Sequence, residues 1–190
     1  MSVIPKIEEP DSDDLKDMYE RLDRNALGLG VLNVFKIVAH NPKLLRSWVR
    51  MATPLLSGGI LLEPRLRELV ILRVGQLCGS EYEFGQHIRI AKAAGVTYEE
   101  MAALQDYADR DLFSELERAV IAYTDACARL DPDAPDRARD LKRWLSDREI
   151  LELSFCVGHW GMVARVLVPL EVELDEPLLA QLPDGWREWM

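Results

Sequence analysis

The sequence predicts an all-α fold. Three observations carry this expectation. No segment sustains an alternating apolar–polar pattern of the kind a half-buried strand needs. Ser or Thr stands three residues before Glu at Thr97/Glu100, Ser114/Glu117 and Ser146/Glu149, a pattern that marks helix starts. Pro42 and Pro64 each open an apolar-rich segment, as proline does in a first helical turn, where its missing N–H costs nothing.

The elements follow in order. SDDLKDMYERLDR (12–24) predicts a polar, amphipathic first helix, and GLGVLNVFKIVAH (28–40) a second, loosened at its front by Gly28 and Gly30. Asn41 caps a third helix that begins at Pro42 and fails near Ser57-Gly58-Gly59. EPRLRELVILRVGQLCG (63–79) is apolar on most of its circumference, so it belongs at the centre of the core. CGSEYEFGQH then opens a helix that runs to about Ala94. Helices follow at TYEEMAALQDY, SELERAVIAYTDACARL and SDREILELSFCVGHWGMVARVLVPL, with a turn and a short helix in DPDAPDRARDLKRWL.

Composition bounds the function. The 190 residues suffice for one hydrophobic core, and the 48% hydrophobic content is that of an ordinary globular domain. A formal net charge of −10 argues against a nucleic-acid surface, which draws on clustered Lys and Arg. Much of the acid excess lies in the first twenty residues and reads as a solvated lead-in. The N-terminus lacks a signal-like apolar region, and unbroken apolar runs are too short to span a bilayer. Cys78, Cys127 and Cys156 show neither a disulfide framework nor zinc spacing, so a cytoplasmic location is expected.

Polar residues inside the apolar region point to chemistry. Ser80, Glu83 and His87 are spaced i, i+3, i+7 and would share one stripe of a continuous helix. On such a helix Cys78 would lie about 200° from Ser80 and point away. Glu83, one turn from His87, would hold the imidazole tautomer, and Glu68 on the preceding helix would either meet the same imidazole or serve as a second proton carrier. Read structurally, Glu68 would pair with Arg65 or Arg89, and Ser80 would cap the helix.

Glu68 stands 12 residues before Ser80, 15 before Glu83 and 19 before His87, with RELVILR around the glutamate. This spacing resembles the carboxymuconolactone decarboxylase and alkylhydroperoxidase D-like superfamily. The similarity extends through AHNPKLLRSW, IRIAKAAGVTYEEMAAL and GMVARVLVPLEVELDE, over residues 30 to 176. The resemblance implies a compact multi-helix domain over 28–176, preceded by an acidic lead-in with the first helix (1–27) and followed by a Trp-containing tail (177–190). In the alkylhydroperoxidase branch the positions of Ser80 and Glu83 hold two redox cysteines. A hydroxyl and a carboxylate cannot cycle through a disulfide, so the sequence looks like the decarboxylase-type branch.

The resemblance implies cofactor-free acid–base chemistry, decarboxylation or isomerisation of an unsaturated lactone or keto acid, with His87, Glu83 and Glu68 catalytic. Alternatives are a peroxidase-type antioxidant activity and a non-catalytic binding protein on the same fold. Ser80, Arg165 and His159 are candidates for contact with a small-molecule substrate, Arg165 because a guanidinium receives a carboxylate in bidentate fashion. Glu152, Cys156 and His159 share a helix face but lack the further ligands a metal site needs, so neither metal nor cofactor is expected. The five tryptophans read as core or interface anchors, and Trp186 and Trp189 imply that the tail docks on its own body or on a neighbour. The resemblance further implies a homo-oligomer, trimer or hexamer, with no nucleic-acid or membrane partner.

Overall fold

The computed structural model describes residues 2–26 and 28–190, and among these it holds ten α-helices, three short 3-10 segments and no strand. The expected division after residue 27 falls on Leu27, outside the described residues. Helix α1 (Asp13–Asn25) starts where the Ser12 hydroxyl accepts from the Leu15 N–H, and lays Leu15, Met18, Tyr19 and Leu22 against Ala39 and Leu45.

The second helix is shorter than its pattern suggests. Gly28 and Gly30 have φ of 86° and 73°, a left-handed backbone no α-helix includes, and α2 is confined to Asn33–Val38. Its free N–H groups are satisfied from far along the chain. Asp175 accepts from the Asn33 N–H at 2.8 Å, and the Tyr82 hydroxyl accepts from the Val34 N–H at 3.2 Å while donating to Asp175 at 2.9 Å. Helix α3 (Pro42–Leu56) is capped by Asn41 and stops just before Ser57-Gly58-Gly59, as the sequence predicts.

Helix α4 (Pro64–Cys78) is the axis of the molecule, with every residue from Leu66 to Gly75 buried. It packs against α5 (Glu81–Ala93), α7 (Glu115–Arg129) and α9 (Asp147–Leu167). Leu69 and Leu72 face α5 and the C-terminal segment, whereas Val70, Ile71 and Val74 face α7 and α9. Arg65, in the first turn of α4, pairs with Glu100 at 2.5 Å and Glu117 at 2.7 Å. Those glutamates also complete the capping boxes of α6 (Tyr98–Ala103) and α7, so two helix starts are fastened to α4. Arg73 holds Asp125 of α7 with two bonds, at 2.6 and 3.0 Å.

Helix α8 (Ala134–Asp140) leads into α9, which begins at the Ser146/Glu149 capping box. By length and composition α9 would fit a bilayer span, which a count of unbroken apolar runs does not reveal, and over half of its apolar window is buried against the rest of the fold. After α10 (Glu176–Leu179) the tail docks on its own body. Trp186 is 5% exposed and stacks on Phe84 with ring centroids 6.4 Å apart, and Gln76 donates to the Trp189 carbonyl at 2.6 Å. Trp186→Ala should therefore lower unfolding stability by about 3–5 kcal/mol. A urea midpoint unchanged by the substitution would show that the tail is undocked in solution.

Candidate functional site

The stretch CGSEYEFGQH is not one continuous helix. α4 ends at Cys78, Gly79 takes the left-handed conformation (φ 62°, ψ 32°), and the chain reverses into α5. Ser80 caps α5, its hydroxyl facing the Glu83 N–H at 3.5 Å. Two expectations are corrected. Ser80 lies before the helix rather than on a stripe with Glu83 and His87, and the 200° separation of Cys78 from it does not apply.

The reversal sets α5 alongside α4 and brings His87 onto Glu68. His87 Nδ1 lies 2.7 Å from Glu68 Oε2, and Arg67 Nε donates to Oε1 at 2.8 Å. Trp160, on α9, donates its indole N–H to His87 Nε2 at 3.1 Å. An indole nitrogen only donates, so Nε2 is the accepting nitrogen and the ring proton sits on Nδ1, directed at Glu68. Burial is the largest influence on Glu68 and opposes its ionisation. His87 and Arg67 together outweigh it and hold the carboxyl below its usual range. The residue that orients His87 is thus Glu68, which meets the imidazole as one of its two sequence readings allows, and not Glu83; its other partner is Arg67 rather than Arg65 or Arg89.

Glu83 is left alone. It is 3% exposed, and neither carboxyl oxygen has a hydrogen-bond partner. Burial pushes its pKa up to about 8, against a smaller opposing pull from the Ser80 hydroxyl. At neutral pH it is a carboxylic acid with a proton to give.

His159 lies one residue before Trp160 and belongs to the same cluster of rings. Its Nε2 accepts from the Trp48 indole N–H of α3 at 3.2 Å, and its buried Nδ1 has no partner. Burial above all pushes it down to about 4, so the ring is neutral. Trp160 stands edge-on to both imidazoles, with centroids 5.6 Å from His87 and 4.9 Å from His159. Arg67, Trp160 and Trp48 escape sequence reasoning. The usable signal was that a buried indole N–H needs an acceptor.

The remaining candidates separate. Arg165 is exposed near the end of α9, with Nη1 on the Gly161 carbonyl at 2.6 Å. Glu152 accepts from the Leu61 and Leu62 N–H groups at 2.7 and 2.9 Å and ties a loop to α9. Cys156 is buried, its thiol pushed up to about 12. Among the described residues no three His, Cys, Asp or Glu side chains gather as metal ligands. A hollow of about 940 Å³ is lined by Ser80, Tyr82, Asn33, Asp175, Lys36 and Arg187, and an apolar groove of about 250 Å³ by Trp48, Met51, Met162 and Leu167. Neither is lined by Glu83 or His87.

Comparison with known proteins bears on the fold. Residues 42–126 match the model of the Carboxymuconolactone decarboxylase family. No curated protein sequence matches the chain significantly. Among solved structures, an uncharacterized peroxidase-related protein from Silicibacter sp. is similar at 18% identity, with a TM-score of 0.81 and 93% of each chain covered. The debrominase Bmp8 is similar at 17% identity, with a TM-score of 0.79, over 100% of this chain and 99% of its own. A putative antioxidant defence protein AhpD from Agrobacterium tumefaciens is similar at 21% identity, with a TM-score of 0.67, over 73% of this chain and 94% of its own. Residues 42–126 thus carry the match to the Carboxymuconolactone decarboxylase family model, and the chain shares its fold with these peroxidase-related and AhpD-like structures.

Proposed function

We propose that the protein is a cofactor-free acid–base enzyme of the decarboxylase-like kind, acting on a small unsaturated lactone or keto acid. The observation that carries this reading is Glu83, a buried acid with no partner and a pKa near neutrality, set beside an imidazole whose tautomer is fixed. In decarboxylation the bond to the substrate carboxylate breaks, CO2 leaves, and the electron pair enters the conjugated carbonyl as an enolate. Glu83 then delivers its proton to carbon, and the carboxylate it becomes recovers a proton from water. In isomerisation His87 Nε2 removes one proton while Glu83 supplies another. Either course needs the Trp160 indole to turn from His87 to the substrate, where its N–H meets the developing oxyanion.

Glu68 serves this chemistry as the positioning residue for His87. The redox reading is poorly supported, because thiol chemistry needs a thiolate and burial raises both Cys156 and Cys78. We also propose that the chain works as a homo-oligomer. In support, Leu151, Phe155, Met162 and Val166 form a stripe along α9 in which each is 40–57% exposed.

Two measurements test these roles. On a panel of unsaturated lactones and keto acids, His87→Ala and Glu83→Gln should each cut turnover by orders of magnitude with the helical circular dichroism intact; full activity in both eliminates the assignment. The second measurement is stability against pH. Glu83 is raised from an ordinary 4.5 to about 8, so its contribution is complete below pH 4.5 and is lost as pH rises to about 8. Relative to Glu83→Gln, the wild type should lose about 1.4 kcal/mol per pH unit across that window and level off above it. A parallel pair of stability curves would mean that Glu83 titrates as an ordinary carboxylate.

A further inference from the structure

His159 is buried among rings and has no part in the chemistry proposed above. The Trp48 indole can only donate, so the 3.2 Å bond it makes to Nε2 leaves that nitrogen unprotonated. The imidazole therefore carries its proton on Nδ1. That atom is buried in a residue only 6% exposed, and its N–H has no acceptor. A buried donor left unmet costs stability, which the acceptor of a bound molecule would return.

The apolar groove of about 250 Å³ shares a wall with this imidazole. Trp48 lines the groove, and its ring stacks on His159 with centroids 6.3 Å apart and an interplanar angle of 28°. Met162 and Val163, one turn further along α9 than His159, line it as well. Among the described residues no charged side chain lines the groove, and its one hydroxyl, that of Ser47, is spent on the Lys43 carbonyl at 3.0 Å. Met51 and Met162 are exposed there, and thioether side chains adapt to a flat ring laid against them. The space exceeds that of an apolar cavity of roughly 150 Å³, which takes one benzene ring.

We propose that this groove is a binding site for a small, flat, uncharged molecule with one carbonyl-type acceptor, which lies against Trp48 and takes the His159 Nδ1–H. The lining offers a charged group nothing to pair with, so a carboxylate or an ammonium would enter at the full cost of its desolvation. Apolar area supplies the affinity, and the single donor supplies the orientation. Met162 and Val166 also belong to the exposed stripe of α9, so a second copy of the chain is the rival occupant. A concave groove beside an unmet donor fits the small molecule better, because an apolar helix face brings no acceptor to it. Neither Glu83 nor His87 takes part, so the site stands apart from the acid–base reading.

Indanone and indane share one fused-ring frame and differ by a carbonyl oxygen, which makes them the probes. Their dissociation constants for the whole protein are measured by calorimetric titration. The indane-to-indanone ratio of those constants should fall about 3- to 10-fold in His159→Phe. Comparing ratios cancels the cost of desolvating the ketone. Met51→Trp, which fills the groove from its exposed wall, should remove the binding of both probes with circular dichroism and light-scattering mass unchanged. In wild type made with isotope-labelled histidine, saturating indanone should move the His159 Nδ1–H resonance downfield while indane leaves it in place, a readout that needs no variant. An unchanged ratio in His159→Phe, or a resonance that indane moves as far as indanone does, overturns the proposal. So does the failure of both probes to bind the wild type, or a fall in mass in Met51→Trp, which would give the groove to a second copy.

Discussion

A carboxylate in the middle of the most buried helix is the constraint around which this fold is organised. Glu68 has no exposure to solvent, and an unpaired charge there would cost several kcal/mol. The chain meets that demand with two cationic or proton-bearing partners of different origin. Arg67 comes from the same helix, and its Nη1 also reaches the Leu55 and Leu56 carbonyls at 3.4 Å, which fastens the end of α3 to α4. His87 comes from α5 and can reach Glu68 only if the chain reverses sharply after Cys78, which Gly79 permits. Trp160 closes the far side of the imidazole from α9. One buried charge thus fixes the mutual positions of four helices, and removing any partner would leave the others without a reason to be where they are.

Glu83 sits close by under the opposite rule. Both glutamates are buried, but Glu68 is supplied with charge and hydrogen bonds and stays ionised, whereas Glu83 is supplied with neither and keeps its proton. Pairs of titratable groups driven apart by their surroundings are how one site holds an acid and a base at the same pH. Structural needs alone would not select such a residue. A leucine would fill the place of Glu83 without the desolvation cost, so the carboxyl costs stability that a purely structural chain would keep.

The parts of this arrangement that were legible in the sequence are the local ones. The capping boxes at Thr97, Ser114 and Ser146 and the prolines at 42 and 64 appear where the sequence puts them, because a cap bonds within three residues of itself. The spacing of Glu68, Glu83 and His87 singled out three side chains, two of which, Glu68 and His87, meet. Local reasoning could not choose between partners: an i, i+4 neighbour looked like the first mate of His87, and the one it meets is Glu68 across a helix hairpin, 19 residues back. The Cys-Gly-Ser sequence at 78–80 carried the missing signal, a glycine that ends one helix followed by a serine that caps the next. Nothing local could reveal that α2 borrows its cap from Asp175, more than 140 residues away, or that Trp48 and Trp160 spend their N–H groups on histidines.

Access and acid strength are coupled in such a site. Glu83 holds its proton near neutral pH because it is dry, and a wide opening to bulk water would return it to an ordinary carboxylate. The hollow beside Asp175 and the apolar groove beside Trp48 both avoid it, consistent with that requirement. A passage suited to this acid must therefore be narrow and filled by the ligand itself, so that the molecule entering replaces water rather than admitting it.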